Sequence, residues 1–224
     1  MTSLQTRIET IRQQIATAAR KVNRDPESVQ LVAVSKRHPA EAIRAAYECG
    51  VRDFGENYVQ ELVAKAEALR DLEDLRWHLI GHLQTNKAKH VVKVAHYVHT
   101  LDNPRVIDEL SRRAEQAGRQ LDVSIEVNIG EETQKSGCSP EEAEALVAHV
   151  QQAANLRLVG LMTVGQYVSD PEAARPTFVA LRQLRDRIAP GSGLSMGMSG
   201  DFAVAIEEGA TCVRVGTAIF GERS

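Results

Sequence analysis

The chain has 224 residues, 43% of them apolar and 25% charged, with 27 basic against 30 acidic side chains and a net charge of −3. That profile is the ordinary one of a soluble globular protein of one or two domains; it excludes wholesale disorder and offers no general attraction for nucleic acid. With 4 Phe, 4 Tyr and 1 Trp, the core must be built from Val, Leu, Ile and Ala. Apolar runs such as Leu158–Met162 fall far short of the roughly 18 residues of a membrane span, and residues 1–20 are too polar for a secretion signal. Cys49, Cys138 and Cys212 are widely spaced with no CxxC pair, so no disulfide framework is expected and a reducing cytoplasm is the expected setting.

In chain order, Leu4, Ile8, Ile11, Ile15 and Val22 form one stripe of an amphipathic helix. A β-rich run follows at Leu31–Val34, then Pro39 at a helix start and Gly50 past its end. Further strands are predicted near Arg52–Phe54, Trp77–Ile80, Tyr97–Leu101, Val123–Asn128, Leu156–Met162, Gly193–Met196 and Cys212–Val215. Helices are predicted to start near Asn57, Gln84, Pro104, Pro140, Ala174 and Asp201. Asn103-Pro104 opens one and Gly118 closes it, while Ser139-Pro140-Glu141-Glu142 carries a cap, a proline at the first helical position and a capping-box glutamate. Pro176 blurs the start of another.

Strict alternation of strand and helix demands parallel strands, and eight such units close into a (β/α)8 barrel. A doubly wound open sheet would need two edge strands of lower hydrophobicity, and none stands out. Only Thr217–Ser224 follow the last strand, too few for a full eighth helix, and the extra N-terminal helix is expected to cover that gap. Residues 1–224 read as one α/β domain, without linker or repeat.

Barrel sites lie at the C-terminal ends of the strands. Strand alternation puts Val32, Val34 and Lys36 on one face, so Lys36 is expected at the inner rim, where apolar walls favour the neutral, nucleophilic amine; the plainer alternative is a solvated lysine. Ser199-Gly200 and Gly216-Thr217, after the seventh and eighth strands, offer hydroxyls and close backbone approach for an anion; the alternative is that the glycines only make turns. Arg214 lies between outward-facing Val213 and Val215 and must point inward, either to pair an acid such as Glu126 or to donate to a ligand. His78 and His82 lack metal-site spacing, so no zinc is expected. Cys49 and Cys212 read as core residues, and Asn86–His90 with Lys93 as a solvated basic helix face.

Several segments together resemble the pyridoxal phosphate homeostasis proteins, a family whose fold is similar to the N-terminal barrel of alanine racemase. They are Val34-Ser35-Lys36, Phe54–Tyr58, Trp77–Lys87, Gly160–Thr163, Ser195–Asp201 and Val213–Gly221. The resemblance covers nearly the whole chain. It implies that Lys36 holds pyridoxal 5′-phosphate (PLP) as a Schiff base, and that Ser199, Gly200, Gly216 and Thr217 hold its phosphate. It further implies that Arg214 faces the pyridine nitrogen and that Asn57 and Met162 line the pocket. Arg37-His38 and Val164–Tyr167 depart from the family's commoner residues, the latter at the pocket rim.

Two-domain racemases oppose the lysine with a tyrosine from a second domain, whereas here eight residues follow Gly216, so no such domain is expected. Tyr58 is the nearest motif tyrosine, and its helix position suggests packing. The expectation is therefore a monomeric, non-catalytic, cytoplasmic carrier that stores, buffers or delivers PLP, with apo PLP-dependent enzymes as recipients and Lys135 as a candidate assistant in transfer. A small racemase or lyase on the same fold, and a Schiff-base aldolase of a sugar phosphate, are the alternatives.

Overall fold

Runs of β-branched and aliphatic residues become strands here because both faces of each run are covered, one by helices and one by the opposite wall of a closed ring. The computed structural model describes residues 2–130, 136–165 and 169–221. Its strands are β1 (Gln30–Val34), β2 (Asp53–Glu56), β3 (Arg76–Leu79), β4 (Tyr97–Leu101), β5 (Leu121–Glu126), β6 (Leu156–Met162), β7 (Gly193–Ser195) and β8 (Cys212–Val215). All pair in parallel in sequence order. β1 closes on β8 with Val32 beside Arg214 and Ala33 beside Val215, so the sheet is a closed barrel and not an open doubly wound one.

The helices are α1 (Leu4–Lys21), α2 (Ala40–Glu48), α3 (Val59–Ala68), α4 (Ala88–Val94), α5 (Pro104–Gln116), α6 (Ala143–Gln152), α7 (Arg175–Ile188), α8 (Phe202–Glu207) and α9 (Thr217–Phe220). Their buried faces meet the outward strand residues, among them Ala33, Phe54, Leu79, Val98, Ile125, Leu161 and Val213, in one aliphatic layer around the barrel. The caps follow the sequence signals: the Asn103 side chain accepts from the Val106 N–H at 3.1 Å, and Gly118 leaves α5 at φ +61°. Pro176 sits in the first turn of α7, where its missing N–H costs nothing.

Several boundaries differ from expectation: α4 starts at Ala88 rather than near Gln84 because Thr85–Lys87 form a 3-10 turn first, and β5 runs Leu121–Glu126 rather than Val123–Asn128. The Ser139/Glu142 capping box forms reciprocally, at 2.9 and 3.3 Å, yet α6 starts at Ala143 rather than near Pro140. The intervening residues close a tighter turn through Glu142 N–H to the Ser139 carbonyl. In α1 the buried stripe is Ile8, Ile11, Ile15, Ala18 and Ala19, and Val22 has left the helix as its C-cap.

Helix α1 packs against α8 and the four-residue α9. Its Arg7 guanidinium donates to the Ile219 carbonyl at 2.6 Å, and Lys21 pairs with Glu207 at 2.7 Å. Because Ile8 is fully buried, Ile8→Ala is expected to lower unfolding free energy by about 2–5 kcal/mol. Urea denaturation checks this, with the exposed Gln14→Ala staying within about 0.5 kcal/mol of the parent.

Candidate functional site

A cavity of about 410 Å³ opens at the C-terminal ends of the strands. Val34, Asn57, Ile80 and Gly216, each at or just past the end of a strand, form its walls together with Lys36. Gly55, below them in β2, leaves room for Val32 and Ile80, whose carbons would stand 3.0 Å from any Cβ there.

Lys36 is not the last residue of a strand. β1 ends at Val34, and Lys36 opens the following turn, half-buried, on the same cavity side as Val34. That turn is unusual and firmly held. Arg37 adopts φ +64°, a left-handed conformation rare for a residue with a β-carbon, and its N–H donates to Glu61 Oε2 at 2.8 Å. The buried Lys65 amine donates to the Ser35 carbonyl, Glu56 and Glu61 at 2.8–2.9 Å, and the Ser35 hydroxyl donates to Glu56 at 2.6 Å. Burial pushes the Glu56 carboxyl above its usual range in spite of Lys65 and Ser35, whereas the Arg37 N–H and Lys65 hold Glu61 below its range. Ion pairs this buried fix geometry more than they add stability.

The opposite wall comes from the turns after β7 and β8. Gly197 takes φ +94°, and a Cβ on it would lie 2.6 Å from that of Ala205, so only glycine lets this turn fold onto α8. The Ser199 hydroxyl oxygen accepts from the N–H groups of Gly216 and Ala218, at 3.2 and 3.5 Å, tying the two turns together. Among the described residues, the N–H groups of Gly200 and Thr217 have no hydrogen-bond acceptor. A Cβ on Gly200 would meet nothing within 4 Å, so that backbone is bare to an incoming group.

Arg214 points inward, as its place between Val213 and Val215 requires, and reaches the cavity while being only 4% exposed. It forms no ion pair with Glu126. Its fork donates instead to Ser195 Oγ at 2.7 Å and to the Thr163 carbonyl at 2.9 Å, leaving further N–H groups of the guanidinium for the cavity. Glu126 is a poor counter-charge because burial, reinforced by Asp102, pushes its carboxyl up to about 7 against the pull of Arg214.

Of the residues named from sequence, Lys36, Asn57, Ser199, Gly200, Arg214, Gly216 and Thr217 meet around this one cavity. Met162 does not line it: it is fully buried, in register with Ser195 and Glu126. Tyr58 is not a packing residue but the N-cap of α3, 46% exposed, because the chain turns outward before the helix starts. His78 is buried inside the barrel and His82 pairs with Asp102 at 3.4 Å, so the two share no centre. Cys49 is half-buried and Cys212 buried, and Lys89, His90 and Lys93 face solvent on α4. His38, Ile80, Met198 and Asp201 also line the cavity and were missed; only their places two residues past Lys36 and within the Trp77–Lys87 and Ser195–Asp201 runs could have flagged them. At the rim, Val164 is 37% exposed and lines the cavity, whereas Gln166, Tyr167 and Lys135 lie outside the described residues.

Both the sequence and the fold match known proteins. Residues 7–224 match the family model for the alanine racemase N-terminal domain. The pyridoxal phosphate homeostasis protein of Aquifex aeolicus is 44% identical over 222 residues, spanning 97% of each chain. The chain belongs to the pyridoxal phosphate homeostasis protein family. Another similar structure is PipY of Synechococcus elongatus, solved with PLP bound, which is 36% identical at a TM-score of 0.85 and covers 98% of this chain and 100% of its own. A Clostridium difficile alanine racemase, 13% identical at a TM-score of 0.68, shares the fold over 59% of its length. Among the described residues of this family member, no helix is long and apolar enough to cross a membrane.

The Glu126 carboxyl gives a pH test. Its folded pKa of about 7 lies above the free value of 4.5, so the folded chain keeps a proton that the unfolded chain has released between those values. Stability from this group is complete below about 4.5 and is lost as pH rises through about 7. Glu126→Gln should therefore gain on the parent by up to about 3 kcal/mol between pH 5 and pH 8, measured by urea unfolding at both pH values.

Proposed function

We propose that this chain binds PLP through Lys36 and acts as a monomeric, cytoplasmic buffer and donor of the cofactor to apo PLP-dependent enzymes. The carrying observation is that the β1–β8 seam gathers a half-buried lysine, a backbone-and-hydroxyl anion cradle and an inward arginine around one cavity. The residues present fit the group on the chain's own geometry. Asn57 Oδ1 is buried without a partner, and the Gly200 backbone is bare to the cavity. When bound, PLP supplies an aldehyde that condenses with an amine, and a conjugated ring that stores electrons.

Each residue has a definable task. Ser199 Oγ already accepts two N–H bonds, so its own proton is directed outward to a phosphate oxygen, alongside the N–H groups of Gly200 and Thr217 and the Thr217 hydroxyl. The turn clamped by Lys65, Glu56 and Glu61 presents Lys36 at the opposite side of the cavity. Arg214 cannot surrender a proton, so against the ring nitrogen it would donate a hydrogen bond without protonating it, and the ring would be a weak electron sink. Gly200 and Thr217 are themselves exposed, which gives the cradle a solvent path suited to exchange. Such a site favours holding and releasing the cofactor over chemistry on amino acids.

PLP added to the purified protein is expected to give a visible absorbance band that borohydride traps on Lys36 and that Lys36→Ala abolishes; an unchanged band in that variant rejects Lys36. Ser199→Ala should weaken PLP binding by about tenfold or more, measured by equilibrium titration. Loaded protein should reactivate an apo-enzyme in the presence of a scavenger of free PLP. Steady turnover of D- or L-amino acids, lost with Lys36, would replace the carrier with a racemase.

A further inference from the structure

A chain of buried polar side chains runs through the barrel from one mouth to the other. Arg214 Nη1 donates to Ser195 Oγ at 2.7 Å; Ser195 Oγ meets His99 Nδ1 at 2.9 Å; His99 Nε2 meets His78 Nδ1 at 2.9 Å; and His78 Nε2 meets Asp53 Oδ1 at 2.9 Å. The His99–Ser195 bond joins β4 to β7, which are not neighbours, so it crosses the lumen. Arg214 lines the cavity at the strand ends. Asp53 and His78 line a second cavity of about 310 Å³, framed by the strand starts Gln30, Arg76 and Tyr97. The Tyr97 ring stacks on His99 with centroids 3.9 Å apart and on His78 at 5.2 Å, which fixes both imidazole planes.

The donors can be assigned. Asp53, although buried, is held below its usual range by hydrogen bonds from His78 and Arg76, so it is a carboxylate and only accepts. His78 Nε2–H therefore donates to it. His99 is fully buried and stays neutral, with burial and the neighbouring His78 and Arg214 opposing any charge. Where both imidazoles carry a single proton, the pattern that uses every ring nitrogen has His99 Nε2–H donating to His78 Nδ1 and the Ser195 hydroxyl donating to His99 Nδ1. Ser195 in turn accepts from Arg214. Every bond then points the same way, from a buried cation to a buried anion, and bonds aligned in that manner strengthen one another in a medium of low dielectric.

We propose that Asp53 is the remote counter-charge of Arg214, and that Ser195, His99 and His78 are positioning residues that transmit it, fixing the guanidinium and the donor strength it offers to the ring nitrogen. This rests on the reading that the cavity holds PLP with its ring against Arg214. It assigns a task to four side chains that do not touch the cofactor. The competing account is a satisfied polar core with no communication along it.

The test is a double-mutant cycle of Asp53→Asn and Ser195→Ala, read first on the cofactor-free protein by the 15N and 1H resonances of the Arg214 guanidinium. Transmission through the chain predicts that Asp53→Asn shifts those resonances in the parent and has no effect once Ser195→Ala has cut the path. An equal shift in both backgrounds, or none in either, overturns the proposal. Arg76→Gln, which removes the other Asp53 ion pair and leaves the chain whole, should shift the Arg214 signals only while Ser195 is present. The wild-type protein gives a second measurement that needs no variant: imidazole 15N spectra should show His78 and His99 both protonated at Nε2 and bare at Nδ1, and a proton on His99 Nδ1 overturns the assignment. With PLP added, Asp53→Asn should alter the visible spectrum while the lysine linkage persists. Failure of the parent protein to bind PLP sinks the functional reading alone, because the Arg214 signals still judge the chain; an unaltered spectrum and unaltered signals sink the chain alone.

Discussion

The parallel pairing of β1 with β8 is the contact on which the rest depends. It sets Val32 beside Arg214 and Ala33 beside Val215, and so carries the turn after β1 to the turn after β8. Gly216 lies close enough to Val34 that a Cβ there would stand 3.3 Å from that side chain. Lys36 and the Ser199–Thr217 cradle are more than 160 residues apart in sequence, and closure of the ring is what makes them neighbours. An open sheet built from the same strands would leave them on opposite edges.

Closure also creates an interior that water does not reach, and the sequence puts Asp, Glu, His and Arg into it. The barrel resolves this in two ways. Some groups are given partners, as in the Asp53–His78–His99–Ser195–Arg214 series inside the ring and, between the ring and α3, in the Lys65 amine shared by Ser35, Glu56 and Glu61. Others lose their charge, as Glu126 does near neutrality. Both are responses to the cost of leaving a charge desolvated and alone. The aliphatic layer outside the strands provides the burial, and the polar axis inside provides the site.

Much of this was legible in the sequence because period and punctuation act locally. The apolar runs gave eight strands within a few residues, Asn103 and Gly118 bounded α5 as expected, and Arg214 between two valines announced an inward cation. What was hidden depends on register between strands, which no local pattern encodes. His78, His99 and Ser195 each alternate onto the inner face, but nothing within their own strands says that they meet end to end. Lys65 falls on the buried stripe of α3 with Val59 and Leu62, but nothing in its own helix says that the Ser35 carbonyl and Glu56 will meet its amine. Tyr58 misled for a related reason: its expected place within the helix suggested packing, but it is the N-cap, whose extended backbone carries the ring outward. The resemblance to PLP-handling proteins located the cavity residues, and the geometry added what holds them.

The order in which these parts leave the ribosome has a cost and a benefit. The amine at position 36 emerges early, while the Ser199–Thr217 wall and the carbonyl of Ile219 that anchors α1 come last. A nascent chain thus carries the Lys36 amine long before the wall that faces it across the cavity exists, and long-range closure of this kind is slow. The cavity is therefore a property of the completed barrel alone, and a fragment that stops before the eighth strand lacks the wall that Arg214, Gly216 and Thr217 supply.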